Sequence, residues 1–485
     1  MIKKIGVILC VAAMLFAANY REQSPVHPGE FPIEKVPQFV FIGADDCAEA
    51  ETVLWLTEFL GKLKNPDGSP VLMNFFVNGR YAQNNYSGAA DTSVKKTWQA
   101  WKKAYDAGHE IGNHTYSHWY NEDFEEPRED PRLLKVERWN AEVIANDLTI
   151  TANLEIAKNR VYGFRTPFLE YNRATFEATT RRGFLYDCSI EEGMQPDQNG
   201  TNRYWPYQIT DGAQIDSMQA EWSSGDDDWG YKAIGKFPNS RMWEIPVYAY
   251  IVPHDSLAVK YGFKKGLRQR VIKNTPWFDS ANGNLTGFDY NMYAPKTWEG
   301  AAMKGNECLA TLKNTFDTHY SGNRVPMTLG MHPDYYMKNR NKNYKSAGNH
   351  LQRRKIIEDF ILYVLENPDV RIITGHSLIN WMKAPVPLDD DTPVLDQRGE
   401  VTKIAQNRRP VRRPSSETIE QTGQEQTENA ENPDASPHGQ KSEVENAAKH
   451  VKTSAAEVEN AAKHGKANDS AGENTVKHGK TGDSE

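Results

Sequence analysis

The sequence is poor in three features that would each indicate a particular class of protein. Of its 485 residues only four are cysteine, too few for a scaffold held together by many disulfides. Outside the N-terminus it has no apolar run near the ~20 residues that a membrane-spanning helix needs. Its 57 Lys and Arg are outnumbered by 65 Asp and Glu, so the charge gives no indication of a nucleic acid partner.

Motifs of several enzyme classes are also absent. There is no Gly-x-Ser-x-Gly elbow of a serine esterase, no P-loop, and no dinucleotide-binding glycine fingerprint after a first strand. The pair His109-Glu110 begins like the His-Glu-x-x-His motif of zinc proteases, but the next histidine is His114. That five-residue step puts the two imidazoles on different helix faces, so we interpret His109 as a packing residue or a neighbour of the ligands. Three further histidines are expected to be ordinary loop or surface residues: His254, His319 and His376.

The N-terminus has the pattern of a secretory signal. Lys3 and Lys4 precede a short apolar run, Ile5–Ala18, that ends in small residues. We predict residues 1–18 to be a signal peptide or a retained N-terminal anchor, with no other membrane span. The protein is then secreted, periplasmic or on the cell surface. Three cysteines follow this segment, which permits one disulfide and one free thiol, and we expect Cys47 to be a packed thiol or half of a disulfide.

Composition divides the remaining chain into three parts. Residues 19–36 are rich in proline and polar side chains and are predicted to be a linker. Residues 389–485 are dominated by Gln, Glu, Asn, Ser and Lys, and the heptad Val444–His450 recurs as Val458–His464, a 14-residue step. Such a segment cannot bury enough apolar surface to fold, so we predict a low-complexity, disordered tail. Residues 37–388 remain as one large domain.

Strand and helix signals alternate along residues 37–388, which predicts an α/β fold with a parallel sheet. The expected strands are Phe39–Ile42, Val71–Val77, Phe184–Tyr186, Met242–Tyr250, Pro326–Met331 and Val370–Ile373. The expected helices are Glu49–Lys64, Val94–Ala107, Leu133–Ala157, Arg173–Arg182, Lys296–Tyr320, Leu351–Leu365 and Ser377–Met382. Two long insertions are expected to be irregular, Glu191–Arg241 and Val252–Asn291.

Polar side chains follow three of the apolar segments at the point where each one ends. Asp45 and Asp46 follow the first strand, His114 and His118 follow a short segment that ends at Asn113, and Arg165 comes after Val161–Phe164. The carboxyl ends of parallel strands are where α/β barrels build active sites. Two imidazoles and one carboxylate suit a divalent metal and leave a position for water. A second carboxylate can then act as a base, which an arginine keeps ionised.

These motifs resemble those of the NodB-type polysaccharide deacetylases of carbohydrate esterase family 4. The family motifs run Thr-Phe-Asp-Asp, His-Ser/Thr-x-x-His, Arg-x-Pro-Tyr and Leu-x-x-His. The matching residues here are Asp45 and Asp46, then His114, Thr115 and His118, then Arg165 and Pro167, and finally Leu329 and His332. Gly43 and Ala44 stand for the first Thr-Phe, and Phe168 stands for the tyrosine. The resemblance covers about Pro37–Met382, and its later part is most similar to the chitin-deacetylase-like branch.

The resemblance implies a distorted (β/α)7-type barrel with long loop insertions, and a role for each matching residue. Asp46, His114 and His118 bind a divalent metal, with zinc expected and cobalt as an alternative. Asp45 is the base that deprotonates the attacking water, Arg165 positions it, and His332 is the acid. Since sugar rings stack on aromatic faces, three aromatic residues are candidates for substrate binding: Phe168, Trp205 and Trp243.

The sequence therefore leads to one main hypothesis and several alternatives. The main one is a secreted, metal-dependent deacetylase that hydrolyses N-acetyl groups of a chitin-like N-acetylglucosamine polymer. With the same fold, the substrate could be peptidoglycan or an acetylated xylan cleaved at an ester. A non-catalytic glycan-binding module is the alternative from another class. In each case the partner is a polysaccharide, and the sequence does not indicate the oligomeric state.

Overall fold

The computed structural model describes residues 21–82, 91–118, 134–193, 198–210, 237, 240–298, 300–338 and 345–388. All of them lie in one compact unit, Met1–Asn407. The predicted signal segment and the predicted repeat-containing tail lie outside the described residues. None of the helices within these ranges is long and apolar enough to cross a membrane.

A curled sheet of mostly parallel strands forms the centre of the unit. In chain order the strands are β1 Gln38–Ala44, β2 Asn74–Val77, β3 Glu110–Asn113, β4 Gly163–Phe164, β5 Tyr186–Asp187, β6 Glu191–Glu192, β7 Tyr207–Gln208, β8 Trp243–Glu244, β9 Val247–Tyr248, β10 Tyr250–Ile251, β11 Asn284–Leu285, β12 Met327–Met331 and β13 Val370–Ile372. The nine-stranded sheet runs β12-β1-β2-β3-β4-β5-β8-β7, with β13 also paired to β1. Only β7 is antiparallel to its neighbour in this sheet.

Helices connect these parallel strands. They are α1 Ala50–Leu60, α2 Asp91–Asp106, α3 Val136–Leu154, α4 Arg173–Arg182, α5 Ala258–Tyr261, α6 Leu267–Asn274, α7 Asp289–Tyr293, α8 Gly305–Ser321, α9 His350–Leu365 and α10 Gly375–Lys383. The order of strands and helices confirms the predicted fold class, a distorted α/β barrel with long loop insertions.

The two faces of β1 pack against different cores, because successive side chains of a strand point to opposite sides. Val40 and Ile42 pack into the larger core, which the helices cover. Phe39 and Phe41 point the other way, into a second core inside the curled sheet. Every residue of β1 is buried, which explains why the sequence shows a continuous apolar run and no alternation.

Local sequence signals fix several helix ends. The side chain of Asn172 accepts a hydrogen bond from the backbone N–H of Thr175, and Gly183 ends the same helix, α4, in the left-handed region at φ 82°. Asn349 caps α9 in the same way through Gln352. These caps explain why the predicted bounds of α4 and α9 agree with the structure within a residue.

Three predicted elements need correction. The helix expected from Lys296 begins only at Gly305, because Ala302 has φ 48°, a conformation that no α-helix contains. The strand expected over Met242–Tyr250 is divided into β8, β9 and β10, with a proline at position 246 that has no N–H for a ladder. The insertion expected to be irregular over Val252–Asn291 contains α5, α6, β11 and the start of α7.

The described part of the predicted linker lies against the domain. The backbone N–H of Trp205 donates to the carbonyl of Ser24 at 2.9 Å, and that of Gln208 donates to the carbonyl of Arg21 at 3.0 Å. The side chain of Asn323 donates to the carbonyl of Pro25 at 2.7 Å. The described part of the predicted linker is thus hydrogen-bonded to Trp205, Gln208 and Asn323, which come much later in the sequence.

Candidate metal centre and active site

The pairing of β1 with β12 brings two distant parts of the sequence together. Strand β1 lies beside β12 with Ala44 opposite Met331, and the N–H of Asp45 donates to the carbonyl of Met331 at 2.8 Å. The residue that follows β12 is His332. Because neighbouring parallel strands end at the same edge of the sheet, Asp45 and His332 lie side by side although they are far apart in the sequence.

The histidine pair extends from β3 at the same edge. The N–H of His114 donates to the carbonyl of Val77 at the end of β2, 3.2 Å away. Asn78 donates to the carbonyls of His114 and Thr115. Thr115 and His118 have φ of 64° and 44°, values that cost free energy in non-glycine residues and that the surrounding bonds must hold.

Asp46, His114 and His118 offer three ligand atoms that all lie within 4.8 Å of one another. Oδ1 of Asp46 lies 3.4 Å from Nε2 of His118 and 3.8 Å from Nε2 of His114. Nδ1 of His114 lies 2.8 Å from the carbonyl of Arg165. A carbonyl only accepts, so Nδ1 carries the proton and Nε2 keeps its lone pair.

The state of His118 also suits a ligand. Burial of the ring lowers the pKa of His118 to about 4, against the raising influence of the Asp46 charge. The imidazole is therefore neutral at neutral pH, as a metal ligand has to be. Two imidazoles and one carboxylate fit zinc and, less selectively, cobalt.

Asp45 forms a buried ion pair with Arg165. Nη1 of Arg165 donates to Oδ1 of Asp45 at 2.8 Å, and the two side chains are 1% and 5% exposed. Burial acts to lower the pKa of Arg165, but the charge of Asp45 and the hydrogen bonds to Cys188 and Asp45 outweigh it and the pKa is raised. The guanidinium is thus always charged, and it lies over the ring of Phe76 at 4.4 Å. The ion pair fixes the orientation of the Asp45 carboxylate.

Gly43 makes room for this ion pair. A Cβ atom at position 43 would lie 2.9 Å from Nη1 of Arg165 and 3.0 Å from Nη2. The departure of Gly43 from the Thr of the first motif therefore has a local reason: here the guanidinium occupies the space beside β1.

His332 is held by an aspartate that the sequence analysis missed. Nδ1 of His332 lies 3.0 Å from Oδ1 of Asp289, and the backbone N–H of His332 donates to Oδ2 at 2.9 Å. Burial acts to lower the pKa of His332, but the bond to Asp289 and the charges of Asp289, Asp45 and Asp46 raise it to about 10. The ring is thus protonated at neutral pH and faces the carboxylates of the metal site.

The three candidate substrate-binding aromatics have different environments. Phe168 is 44% exposed, and its ring lies 4.7 Å from that of His118, so part of its side chain is exposed beside the site. Trp205 and Trp243 are 0% and 3% exposed. Both belong to the core inside the curled sheet, where Trp205 stacks on Trp381 at 5.8 Å. Neither indole has a face left for a sugar, which corrects their prediction as substrate-binding residues.

Among the other histidines of the described residues, His109, His319 and His376 make packing or hydrogen-bond contacts, and His254 is exposed. His109 is 1% exposed and Nδ1 accepts a hydrogen bond from the N–H of Met73 at 3.1 Å. His254 is exposed, as expected. His319 is not a surface residue but fully buried on α8, with Nε2 3.0 Å from Nη1 of Arg203. His376 stacks on Tyr162 at 4.0 Å.

The three cysteines of the described residues form no disulfide. Cys47, Cys188 and Cys308 are all buried thiols. Sγ of Cys47 lies 3.3 Å from the carbonyl of Ala44. Cys47 is thus the packed thiol of the two expected alternatives, and it is not among the grouped metal ligands.

Comparison with known families identifies the same family as the motifs. The family model described as polysaccharide deacetylase matches residues 66–186. This stretch contains His114, His118 and Arg165 and is similar to the polysaccharide deacetylase family. Asp45 and His332 lie outside the matched stretch, and the structure brings them to it.

The curated protein "Chitin deacetylase 1" of Bombyx mori is 22% identical over 370 residues, which are 75% of this chain and 54% of that protein. The chain thus spans about half the length of this relative. A putative polysaccharide deacetylase from Mycobacterium smegmatis is 15% identical, with 80% of this chain and all of that one covered and a TM-score of 0.39.

Two further solved structures share smaller parts of the chain. A family 4 acetyl xylan esterase from Clostridium thermocellum, in complex with a cobalt ion, is 17% identical over 34% of this chain and 64% of that one, with a TM-score of 0.22. A family 4 pseudoenzyme from Bacillus anthracis is 15% identical over 44% of this chain and 56% of that one, with a TM-score of 0.24.

Proposed function

We propose that this protein is a metal-dependent deacetylase that hydrolyses the N-acetyl groups of an N-acetylglucosamine polymer. One observation carries the proposal: two charge pairs, one buried and one partly buried, lie beside a cluster of three metal-ligand atoms. Asp45 is paired with Arg165 on one side, and His332 is paired with Asp289 on the other. A base and an acid thus face a common point, as hydrolysis of an amide requires.

The residues of the chain divide the proton transfers between them. Asp45, oriented by Arg165, accepts a proton from the attacking water, and the remaining hydroxide oxygen adds to the acetyl carbon. His332 donates its proton to the nitrogen as the C–N bond breaks. Nδ1 of His332 is engaged with Asp289, so the proton comes from Nε2. The products are acetate and a free amine on the sugar.

Asp46, His114 and His118 would hold the metal. When bound, a divalent cation supplies a Lewis acid that activates water at neutral pH and stabilises charge on the acetyl oxygen. Zinc is the first candidate, since the ligand set is two imidazoles and one carboxylate. His118 is neutral at neutral pH and does not have to lose a proton on binding, and the bond of His114 Nδ1 to the carbonyl of Arg165 leaves Nε2 to face the metal.

The similarity to an insect chitin deacetylase favours a chitin-like substrate. The direct test is acetate release from N-acetylglucosamine oligomers, peptidoglycan fragments and acetylated xylan by the zinc-loaded protein. We expect the oligomers to be the best substrate. If none of the three releases acetate while zinc is bound at one equivalent, the proposed function is wrong.

An acetyl xylan esterase is the second candidate, and His332 separates the two. An amide has a poor leaving group and needs a proton from an acid, whereas an ester leaves as an alcohol and depends less on that proton. For a deacetylase, His332→Ala should reduce the rate on N-acetyl sugars on the order of 10²-fold or more. Ester cleavage that is as fast in His332→Ala as in wild type, with no amide cleavage in either, would favour the esterase.

A glycan-binding module without activity is the third candidate. It predicts saturable binding to the polymer without turnover in zinc-loaded protein. Phe168 supports binding in either case, because its exposed ring lies beside His118. The buried pair of Arg165 and Asp45 favours an enzyme over a binding module. Burying two charges is costly, and glycan binding alone does not require a buried, oriented carboxylate.

We also propose that the protein acts outside the cytoplasm. This rests on the positive and apolar pattern of Lys3 to Ala18. N-terminal sequencing of protein recovered from the medium or cell envelope of the source organism should show whether this segment is removed. Recovery of intact protein only in the cytoplasm would contradict the proposal.

A further inference from the structure

A pair of buried carboxyl groups lies behind Arg165 and has no part in the mechanism above. Asp187 on β5 and Glu244 on β8 are opposite each other in the strand register, and both are fully buried. Oε1 of Glu244 accepts hydrogen bonds from the backbone N–H groups of Ser189 at 3.1 Å and Ile190 at 2.9 Å.

The remaining oxygens of the pair indicate a shared proton. Ser189 lies beside Asp187, but among the described residues no donor meets hydrogen-bond geometry with Oε2 of Glu244 or with either oxygen of Asp187. Two adjacent buried carboxylates would repel each other and would both lack solvation. Burial and, next, the charge of Asp187 raise the pKa of Glu244 well above its ordinary value. Glu244 therefore carries the proton and donates it to Asp187.

The segment that Glu244 holds is the one that receives Arg165. The carbonyl of Cys188 accepts from Nε of Arg165 at 2.8 Å, and its Sγ accepts from Nη2 at 2.9 Å. Oγ of Ser189 accepts from the N–H of Thr166 at 2.9 Å, the residue next to Arg165. Residues 188–190 thus contact Arg165 or its neighbour through three hydrogen bonds.

The geometry points to Glu244 as a positioning residue for Arg165: its carboxyl, sharing one proton with Asp187, fixes residues 188–190 and with them the guanidinium that orients Asp45. The inference rests on the proposed function, in which Asp45 is the base. Apart from each other, the titratable groups that face the pair are Arg165, Cys188, Tyr207 and Tyr248.

Two substitutions separate the hydrogen bonds of Glu244 from its volume. Glu244→Gln keeps an oxygen for the two N–H groups and offers an amide N–H to Asp187 in place of the shared proton. Glu244→Leu keeps the size and removes both. We expect Glu244→Gln to retain about the wild-type kcat and Glu244→Leu to lose on the order of 10- to 100-fold in kcat, the cost of about 1 Å of misplacement, with KM little changed.

Glu192 supplies the matched control. It is also a buried glutamate on a short strand, and its Oε1 accepts from Nε2 of Gln198 and the N–H of Tyr204, but these bonds do not lead to Arg165. Glu192→Leu should therefore lower stability and leave kcat per folded molecule unchanged. An equal loss of kcat in Glu192→Leu and Glu244→Leu would overturn the inference.

A double-mutant cycle shows whether Glu244 acts through Arg165. Arg165→Lys keeps the charge but not the planar guanidinium. In this background Glu244→Leu should cause no further loss of kcat. Losses that multiply across the two substitutions would contradict a role through Arg165.

One readout does not depend on turnover. The ¹⁵N resonance of the Arg165 Nε–H, assigned by its absence in Arg165→Lys, should move in Glu244→Leu and stay in place in Glu244→Gln and Glu192→Leu. A wild type without activity would refute the proposed function, while this resonance would still decide the positioning role. An unmoved resonance in folded Glu244→Leu refutes that role.

If Glu244→Leu does not fold, Glu244→Gln alone remains decisive. The wild-type pair loses its shared proton at high pH, whereas the glutamine amide keeps its N–H. The Arg165 resonance should thus change with rising pH in wild type and remain constant in Glu244→Gln. The same change with pH in both proteins would refute the inference.

Discussion

Replacement of Asp289 by asparagine would test the acid side of the proposed site. Asp289 is completely buried and bonds to His332 through both the ring Nδ1 and the backbone N–H. Asparagine has the same shape, but it keeps only one of the two accepting oxygens and removes the negative charge. Since burial by itself lowers the pKa of His332, we expect that pKa to fall from about 10 to its ordinary value of 6.5 or lower.

The size of the effect follows from the protonated fraction of His332. With a pKa of 10 nearly all of the imidazole is protonated at pH 7 and at pH 9. With a pKa of ~6.5 the protonated fraction is about a quarter at pH 7 and roughly 0.3% at pH 9. The loss of kcat should therefore be about fourfold at pH 7 and about 300-fold at pH 9. A bound divalent cation lowers this pKa in both enzymes and leaves their order unchanged.

The assay is acetate release from N-acetylglucosamine oligomers by zinc-loaded wild type and Asp289→Asn between pH 5 and 10. We expect the alkaline limb of kcat to move to lower pH in the variant. In a His332→Ala background, Asp289→Asn should have no further effect on that limb, because the two residues act as a unit. A loss of the same size at every pH would refute the argument that Asp289 acts by keeping His332 protonated.

Three further predictions follow from the same contacts. Gly43→Ala should displace the guanidinium of Arg165, whose Nη1 would be 2.9 Å from the new Cβ, and so lower stability by about 1–3 kcal/mol and reduce kcat. Gly305→Ala is the control, because the nearest atom to its new Cβ would be a side-chain methyl at 3.3 Å, and it should have little effect on kcat. Equal effects of Gly43→Ala and Gly305→Ala in urea unfolding and turnover assays would contradict this reasoning. Because the folded pKa of His332 is raised to about 10, the stability from its pair with Asp289 is fully present below about pH 6.5 and is lost as the pH rises through 10, so urea midpoints should fall more steeply over this range in wild type than in Asp289→Asn. The thiols of Cys47, Cys188 and Cys308 are buried and should react with Ellman's reagent only in denaturant; rapid reaction of the native protein would show that these sites open.

The sequence predicted the parts of the fold and site that depend on short-range patterns. The apolar run at Phe39–Ile42 predicted a strand, and the predicted bounds of α4 and α9 agree with the structure within a residue. The motif order placed Asp46, His114 and His118 at strand ends, and the structure brings these three together. In each case the information lies within a few residues of the element that it predicts.

Long-range contacts account for what was missed. Asp289 lies 43 residues before His332, in a segment without a motif, and only the folding of that segment onto β12 brings the two together. The burial of Trp205 and Trp243 depends on which side of a two-residue strand faces the interior, and such strands are too short to show a pattern. For His319 a signal was available, since it follows Leu312 and Phe316 at helical spacing on the buried face of α8.

The proposed function is tested most directly by acetate release from N-acetylglucosamine oligomers by the full chain, with zinc, with a chelator, and with Asp45→Asn. We predict release that needs zinc and is lost in Asp45→Asn, while this variant still binds one zinc ion through Asp46, His114 and His118. Release that continues in the presence of the chelator or in Asp45→Asn would contradict the proposed mechanism. No release from a wild type that holds zinc would contradict the deacetylase itself.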